Sequence, residues 1–108
     1  MARPTTTVAI SLPTLVPAPV TPAQRPFGTH SARGVASWFN APDGTCAHTT
    51  IPVGTVVRVT RLHNGAVTTC IVDQWGPADT TRIIDLSMDT FEKLAAPEAG
   101  LIDVLIEW

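Results

Sequence analysis

Proline dominates the first third of this 108-residue chain and limits where a folded domain can begin. Residues 1–33 carry six of the ten prolines and no acidic residue. Because proline lacks a backbone donor and disfavours helix interiors and central strands, we predict a disordered Pro- and Thr-rich tail or linker here. The alternative is a remnant export signal, since Arg3 precedes the apolar run 8–12, although Pro13 interrupts that run early. A single domain is then expected over 34–108.

Charge and hydropathy exclude several classes of partner. The formal net charge is -2, and the few basic residues are scattered, so a nucleic-acid partner is not expected. No apolar stretch approaches the about 20 residues of a membrane span. Nothing in the chain calls for a cofactor or a metal, and a monomer is the default expectation.

The two cysteines, Cys46 and Cys70, lie 24 residues apart. As a disulfide they would stabilise a domain of this size by about 3 kcal/mol through loop closure. Two separate buried thiols are the alternative, and a zinc site would need more ligands at closer spacing. Since a core of about 75 residues is only marginally stable on its own, we favour the disulfide and an oxidising compartment.

Short β-branched runs separated by turn residues predict a mainly β domain. The predicted strands cover 35–39, 55–61, 67–72, 82–86 and 101–107, and Asn64-Gly65 forms the turn of a hairpin. The single helix is predicted over 88–95, with Ser87 as its N-cap and Pro97 ending it. Five or six strands in so short a chain favour a closed barrel, which leaves no edge uncovered.

Five motifs then occur in the order found in rare lipoprotein A domains. Segment 34–39 resembles G-x-A-S-W-Y, and 45–55 resembles T-A-A-H-x-x-L-P-F-G-T. Segments 57–60 and 64–65 are similar to V-R-V-T and N-G, 72–77 to V-x-D-R-G-P with one residue inserted, and 82–87 to R-I-I-D-L-S. The resemblance implies a six-stranded double-psi β-barrel outside the cytoplasm. Members include lytic transglycosylases that cut peptidoglycan glycan between MurNAc and GlcNAc, and expansin-like relatives bind or loosen polysaccharide.

Asp73 and His48 are the predicted catalytic residues. Asp73 matches the aspartate of the D-R-G-P motif, and a lytic transglycosylase needs only one acid, because the muramic acid's own 6-hydroxyl attacks the anomeric carbon. That acid must keep its proton until it is needed, which a partly apolar groove would favour. His48 matches the family's histidine and would orient Asp73 or bind substrate. The competing interpretation of Asp73 is a turn cap, and that of His48 a structural residue.

Four further residues are predicted to bind substrate. Trp38 and Trp75 would stack on sugars, although Trp38 fits a core position equally well. Asp43 stands where catalytic members carry a longer acidic loop. Asp85 would contact glycan or, as the preferred interpretation, support the barrel by accepting backbone hydrogen bonds.

Three departures from the family pattern keep a second function open. The acidic loop shrinks to residues 40–44 and lacks its glutamate, the arginine of D-R-G-P is replaced by Gln74-Trp75, and Phe39 replaces a tyrosine. The alternative is therefore a non-catalytic, expansin-like module that binds or loosens cell-wall polysaccharide. A purely structural or protein-binding barrel is a third possibility.

Overall fold

A computed structural model describes residues 27–108, so most of the predicted tail lies outside the described residues. The described part holds six strands, one α-helix and one 3-10 turn. They are β1 (Ser31–Phe39), β2 (Thr45–Ala47), β3 (Val56–Arg61), β4 (Val67–Gln74), β5 (Ile84–Ser87), α1 (Met88–Glu92), the 3-10 turn Pro97–Ala99, and β6 (Ile102–Glu107).

The six strands close into a barrel in the order β1-β5-β2-β4-β3-β6. Two neighbouring pairs, β1 with β5 and β2 with β4, are parallel, and the other four are antiparallel. The predicted closed six-stranded barrel with one short helix is thus confirmed.

Alternating side chains fill the barrel interior. Along β3, Val57 and Val59 are fully buried, and along β6 Val104 and Ile106 are too. This period of two is the pattern expected of strands with one face on a core. The core is apolar and continuous, and Phe91 of α1 joins it.

A disulfide joins β2 to β4 inside this core. Cys46 and Cys70 are both buried, their Cα atoms lie 5.8 Å apart, and their sulfur atoms are bonded. The predicted cross-link is therefore confirmed, and it ties the three-residue strand β2 to its longer neighbour.

One strand, β2, was not predicted, and several boundaries differ from those predicted. β2 has no run of β-branched residues, so its strand conformation comes from pairing with β4 and β5 and not from local propensity. β1 begins at Ser31, four residues earlier than predicted. The reason is that the N–H and C=O groups of His30 pair with those of Trp108, just beyond β6, and so hold the start of β1 against that strand.

Helix α1 ends at Glu92, earlier than predicted. Ser87 is at its N-cap position but makes no side-chain cap bond. Its hydroxyl instead donates to the Asp89 carboxylate, which lowers the pKa of Asp89.

Strand direction defines two ends of the barrel. β2, β4 and β6 end where β1, β3 and β5 begin, and we call this end the Trp108 rim, comprising His30, His48, Asp73, Trp75 and Trp108. Helix α1 follows directly on β5 at the other end. Within residues 27–108 no helix is long and apolar enough to cross a membrane.

Candidate active site at the Trp108 rim

Asp73 projects outward near the end of β4. Cys70 and Val72 point into the core, so the alternation of the strand turns Ile71 and Asp73 to the outside. β2 pairs Cys46 with Val72 and then Ala47 with Gln74, which leaves Asp73 as the extra residue of a β-bulge. Bulges re-aim side chains at barrel rims. The Asp73 side chain is exposed and has no hydrogen-bond or ion-pair partner among residues 27–108.

Exposed apolar residues precede and follow Asp73 along the chain and lie on the neighbouring strand. Ile71 and Val56 face each other across β4 and β3 with 49% and 44% of their surface exposed, and Trp75 is 67% exposed. In the free chain Asp73 is thus in water rather than in the sheltered groove that we expected, because the odd-numbered residues of β4 face outward. A sugar ring lying over these side chains would supply the missing desolvation.

His48 lies beside the end of β4 at the Trp108 rim. Its backbone N–H donates to the carbonyl of Gln74 at 3.2 Å, directly beyond Asp73 in the chain. Its ring Nδ1 accepts the N–H groups of Thr50 and Ile51, each at 3.1 Å. An acceptor Nδ1 places the proton of the neutral ring on Nε2. Burial lowers the pKa of His48, so the ring is neutral at pH 7 and keeps one donor, Nε2–H.

Trp108 and His30 complete the rim, and neither was predicted from the sequence. The indole of Trp108 stacks on the His30 ring, with the two centroids 5.4 Å apart. The His48 ring is tilted against the same indole, with a centroid distance of 5.9 Å. A C-terminal tryptophan and a histidine beside a proline-rich segment carry no local signal of this contact. The three rings form an aromatic cluster at the Trp108 rim.

Asp85 is held by side chains rather than by the backbone amides that we expected. Ser37 Oγ donates to Asp85 Oδ1, and Arg82 Nε donates to the same oxygen at 3.1 Å. Its side chain retains 14% exposure. Because Ala47 pairs with both Asp85 and Gln74, Asp85 is two strands, about 10 Å, from the end of β4.

A network of charges continues from Asp85 into the loop between β4 and β5. Arg82 Nη1 reaches Asp79 Oδ2 at 3.3 Å, so one guanidinium bridges two carboxylates. The hydroxyl and N–H of Thr81 also donate to Asp79 and lower its pKa. This loop, which begins at the exposed Trp75, is therefore pinned at its end.

Two of the predicted substrate-binding residues lie away from Asp73. Trp38 packs against the core near the end of β1, and its Nε1–H donates to the carbonyl of Pro97 at 2.9 Å. This is the end of the barrel opposite the Trp108 rim. Asp43 is in the turn before β2, whereas His48 follows that strand. The rim thus brings together Asp73, His48 and Trp75, with Asp85 near them.

The described residues include no cluster of three or more His, Cys, Asp or Glu side chains able to hold a metal ion. The Trp108 rim itself offers the carboxylate of Asp73, the imidazoles of His30 and His48 and the indoles of Trp75 and Trp108.

Comparison with known sequences identifies one family. The family profile described as lytic transglycolase matches residues 31–106. A curated relative from Vibrio cholerae, named endolytic peptidoglycan transglycosylase RlpA, is 41% identical over 63 residues, which is 58% of this chain and 24% of that protein. One of the same name from Rickettsia bellii is 37% identical over 81 residues, 75% of this chain and 35% of that protein. The chain thus spans about a quarter to a third of these relatives.

Comparison with solved structures supports the fold. An expansin variant from Clavibacter michiganensis in complex with cellohexaose superposes with a TM-score of 0.60 at 17% identity, covering 71% of this chain and 49% of the expansin. The Streptomyces papain inhibitor gives a TM-score of 0.59 at 19% identity over 77% of this chain and 97% of the inhibitor. At such identities the likeness is one of fold alone, and one barrel carries different functions.

Proposed function

The chain belongs to the lytic transglycolase family, and we propose on that premise that it cleaves the MurNAc–GlcNAc linkage of peptidoglycan as an endolytic transglycosylase. Support comes from the relatives named for this activity in Vibrio and Rickettsia. The Trp108 rim is the proposed site.

The reaction needs one proton donor and no external nucleophile. A general acid protonates the glycosidic oxygen as the bond breaks, and the 6-hydroxyl of the muramic acid then attacks the anomeric carbon. The same group recovers its proton from that hydroxyl, so the ring closes to a 1,6-anhydro sugar. A second carboxylate to activate water, which hydrolysis requires, is unnecessary.

The observation that carries the assignment of the acid is the exposed carboxylate of Asp73, which has no partner among residues 27–108 and has the exposed Ile71 and Trp75 two residues to either side in the chain. Only a group free of ion pairs can be made neutral by a bound sugar alone, since the sugar excludes water from it. His48 Nε2–H would donate to a substrate oxygen or to Asp73 itself. Trp75, two residues beyond Asp73, would stack on an adjacent sugar.

Asp85 is the alternative acid at the same site. Its partial burial and its contact with Ser37 give it a fixed position, which general acids require. Its ion pair with Arg82, however, favours the charged carboxylate. We therefore assign Asp85 to positioning the Arg82 loop and to balancing positive charge that develops on the sugar.

A second function is favoured by the exposure of Trp75 and the absence of the family's acidic loop. Under it, the rim would hold cell-wall polysaccharide without cutting it, as an expansin-like module. The two functions share a ligand and differ in whether Asp73 transfers a proton.

We place either activity outside the cytoplasm, in the periplasm, at the wall or beyond. The buried disulfide supports this location, because such bonds persist in oxidising compartments. The relatives' names refer to peptidoglycan, which lies on the same side of the membrane.

Mass spectrometry of digested glycan tests the proposal. The full chain would be incubated with purified sacculi and with glycan strands freed of peptides. Products ending in 1,6-anhydro-muramic acid establish the transglycosylase, and products with reducing ends would indicate a hydrolase. Retention on sacculi without any product would overturn the enzyme in favour of the binding module.

A further inference from the structure

A cleft of about 670 Å³ opens away from the Trp108 rim. It lies between β1, the end of β3 and the start of β6, and no residue of β2, β4 or the loop after β4 lines it. Charged side chains and leucines predominate in its lining: Arg33, Arg61, Leu62, His63, Leu101 and Asp103.

Within residues 27–108, the two arginines that lack a carboxylate partner both line this cleft. Of the four arginines in the described part, Arg58 and Arg82 are ion-paired with acidic neighbours. The other two, Arg33 and Arg61, both line the cleft, and neither is ion-paired within residues 27–108. In a chain with a net charge of -2, two arginines without an ion-pair partner among residues 27–108 thus line one cleft.

Both guanidinium groups keep donors available. Arg61 Nη1 donates to the carbonyl of Leu94 at 3.3 Å, which fixes the side chain and uses one of its five N–H groups. Arg33 is exposed on β1 and makes no side-chain hydrogen bond to the described residues. A planar fork of this kind binds carboxylates in pairs of parallel hydrogen bonds.

Asp103 brings the opposite charge into the same cleft. β1 and β6 pair Arg33 with Leu105 and Val35 with Asp103, so Arg33 and Asp103 are diagonal neighbours on the outer face, about 7–8 Å apart. Their side chains are nevertheless not ion-paired with each other. The two charges are therefore both available to a third molecule.

We propose that this cleft binds an α-amino acid head group carried on an aliphatic chain. The carboxylate of the ligand would pair with Arg33 and Arg61, and its ammonium group with Asp103. The exposed Leu62 and Leu101, at 42% and 59%, would cover the aliphatic chain. A purely anionic ligand would leave Asp103 without an opposite charge, and a purely cationic ligand would leave the two arginines without one.

Such a head group is presented by a diamino dicarboxylic acid of which only one end is built into a peptide.

Nuclear magnetic resonance titration of the 15N-labelled full chain tests the proposal. The probes are 2,6-diaminopimelate, pimelate and 1,5-diaminopentane, which share the aliphatic length and differ in charge. We expect saturable shifts of the Gly34, Leu62 and Ile102 amides with the first probe. Pimelate and 1,5-diaminopentane should bind at least about tenfold more weakly, because each lacks one of the two charged groups and so loses at least one charge-assisted hydrogen bond.

Variants separate this site from general charge effects. Arg33→Gln and Asp103→Asn should each weaken binding of 2,6-diaminopimelate at least about tenfold. Lys93→Gln, which removes a cation outside the cleft, should leave it unchanged. Equal affinity for pimelate, shifts elsewhere than in the cleft, or full binding by Arg33→Gln would overturn the proposal. Asp73→Asn should bind normally, so a failure of the glycan-cleaving proposal is distinguishable from a failure here.

Discussion

The Nδ1 atom of His48 accepts a hydrogen bond from the backbone N–H of Ile51 at 3.1 Å. Since Thr50 donates to the same atom, protonation of Nδ1 would break two backbone contacts at once. The ring therefore holds the turn after β2 in place and, through that turn, its own position against Trp108 at the rim.

This contact predicts a pH dependence of stability. Burial lowers the pKa of folded His48 below 6.5, so at lower pH the unfolded chain takes up a proton before the folded chain does. The contribution is fully present above pH 6.5 and is lost as the pH falls through the lowered value. Urea unfolding at pH 7.5 and 5.5 should show a smaller loss for His48→Asn, whose amide oxygen can accept the same bonds without titrating. Equal losses in both proteins would show that His48 is not responsible.

Reduction of the Cys46–Cys70 bond should destabilise the barrel by about 3 kcal/mol, because it releases a closed loop of 24 residues in the unfolded chain. Thermal unfolding with and without a reductant measures this. The double variant Cys46→Ala, Cys70→Ala is the control and should not respond to the reductant. A wild-type transition that is insensitive to complete reduction would refute the prediction.

The two tryptophans should separate binding from stability. Trp75→Ala should weaken retention on sacculi about tenfold, since a stacking ring is lost, with a change of less than about 0.5 kcal/mol in the free energy of unfolding. Trp38→Phe should instead leave retention intact and cost about 1 kcal/mol in stability, through loss of the bond to Pro97. Co-sedimentation and urea unfolding of both variants provide the readouts. If Trp38→Phe instead weakened retention on sacculi and Trp75→Ala did not, the sugar-binding surface would lie at Trp38.

Asp85→Asn tests which carboxylate donates the proton. Asparagine keeps an acceptor for Ser37 and the shape of the side chain, so the variant should fold. If Asp85 positions the Arg82 loop and balances charge but does not donate the proton, the rate of anhydro-product formation should fall less than about tenfold, below the usual contribution of a general acid. A loss as complete as that of Asp73→Asn, with unchanged sacculus binding, would transfer the role of acid to Asp85.

The strands that are predicted best from the sequence are those with a run of β-branched residues and a clear turn beside them. β3 and β4 are rich in β-branched residues and flank an Asn-Gly turn, and both form where predicted. β2 was missed because Thr45, Cys46 and Ala47 lack such a run, and its pairing on both sides decides its conformation.

The site was foreseeable only in part. Motif matching singled out Asp73 and His48, which the barrel brings to one rim. It could not foresee Trp108 or His30, because their contact depends on β1 and β6 meeting at the two ends of the described chain. Nor could it tell that Trp75 is exposed whereas Trp38 packs against the core. The sequence of one strand does not show which of its faces is covered by a helix or a turn.

The most direct test of the account compares the rates at which Asp73→Asn and Glu92→Gln form anhydro-muropeptides from purified glycan strands. Both substitutions remove one exposed carboxylate, and only the first lies on the proposed site. We predict that Asp73→Asn lowers the rate at least about a hundredfold while still binding sacculi, and that Glu92→Gln matches the wild type. Wild-type rates from Asp73→Asn would contradict the assignment of this carboxyl group as the acid.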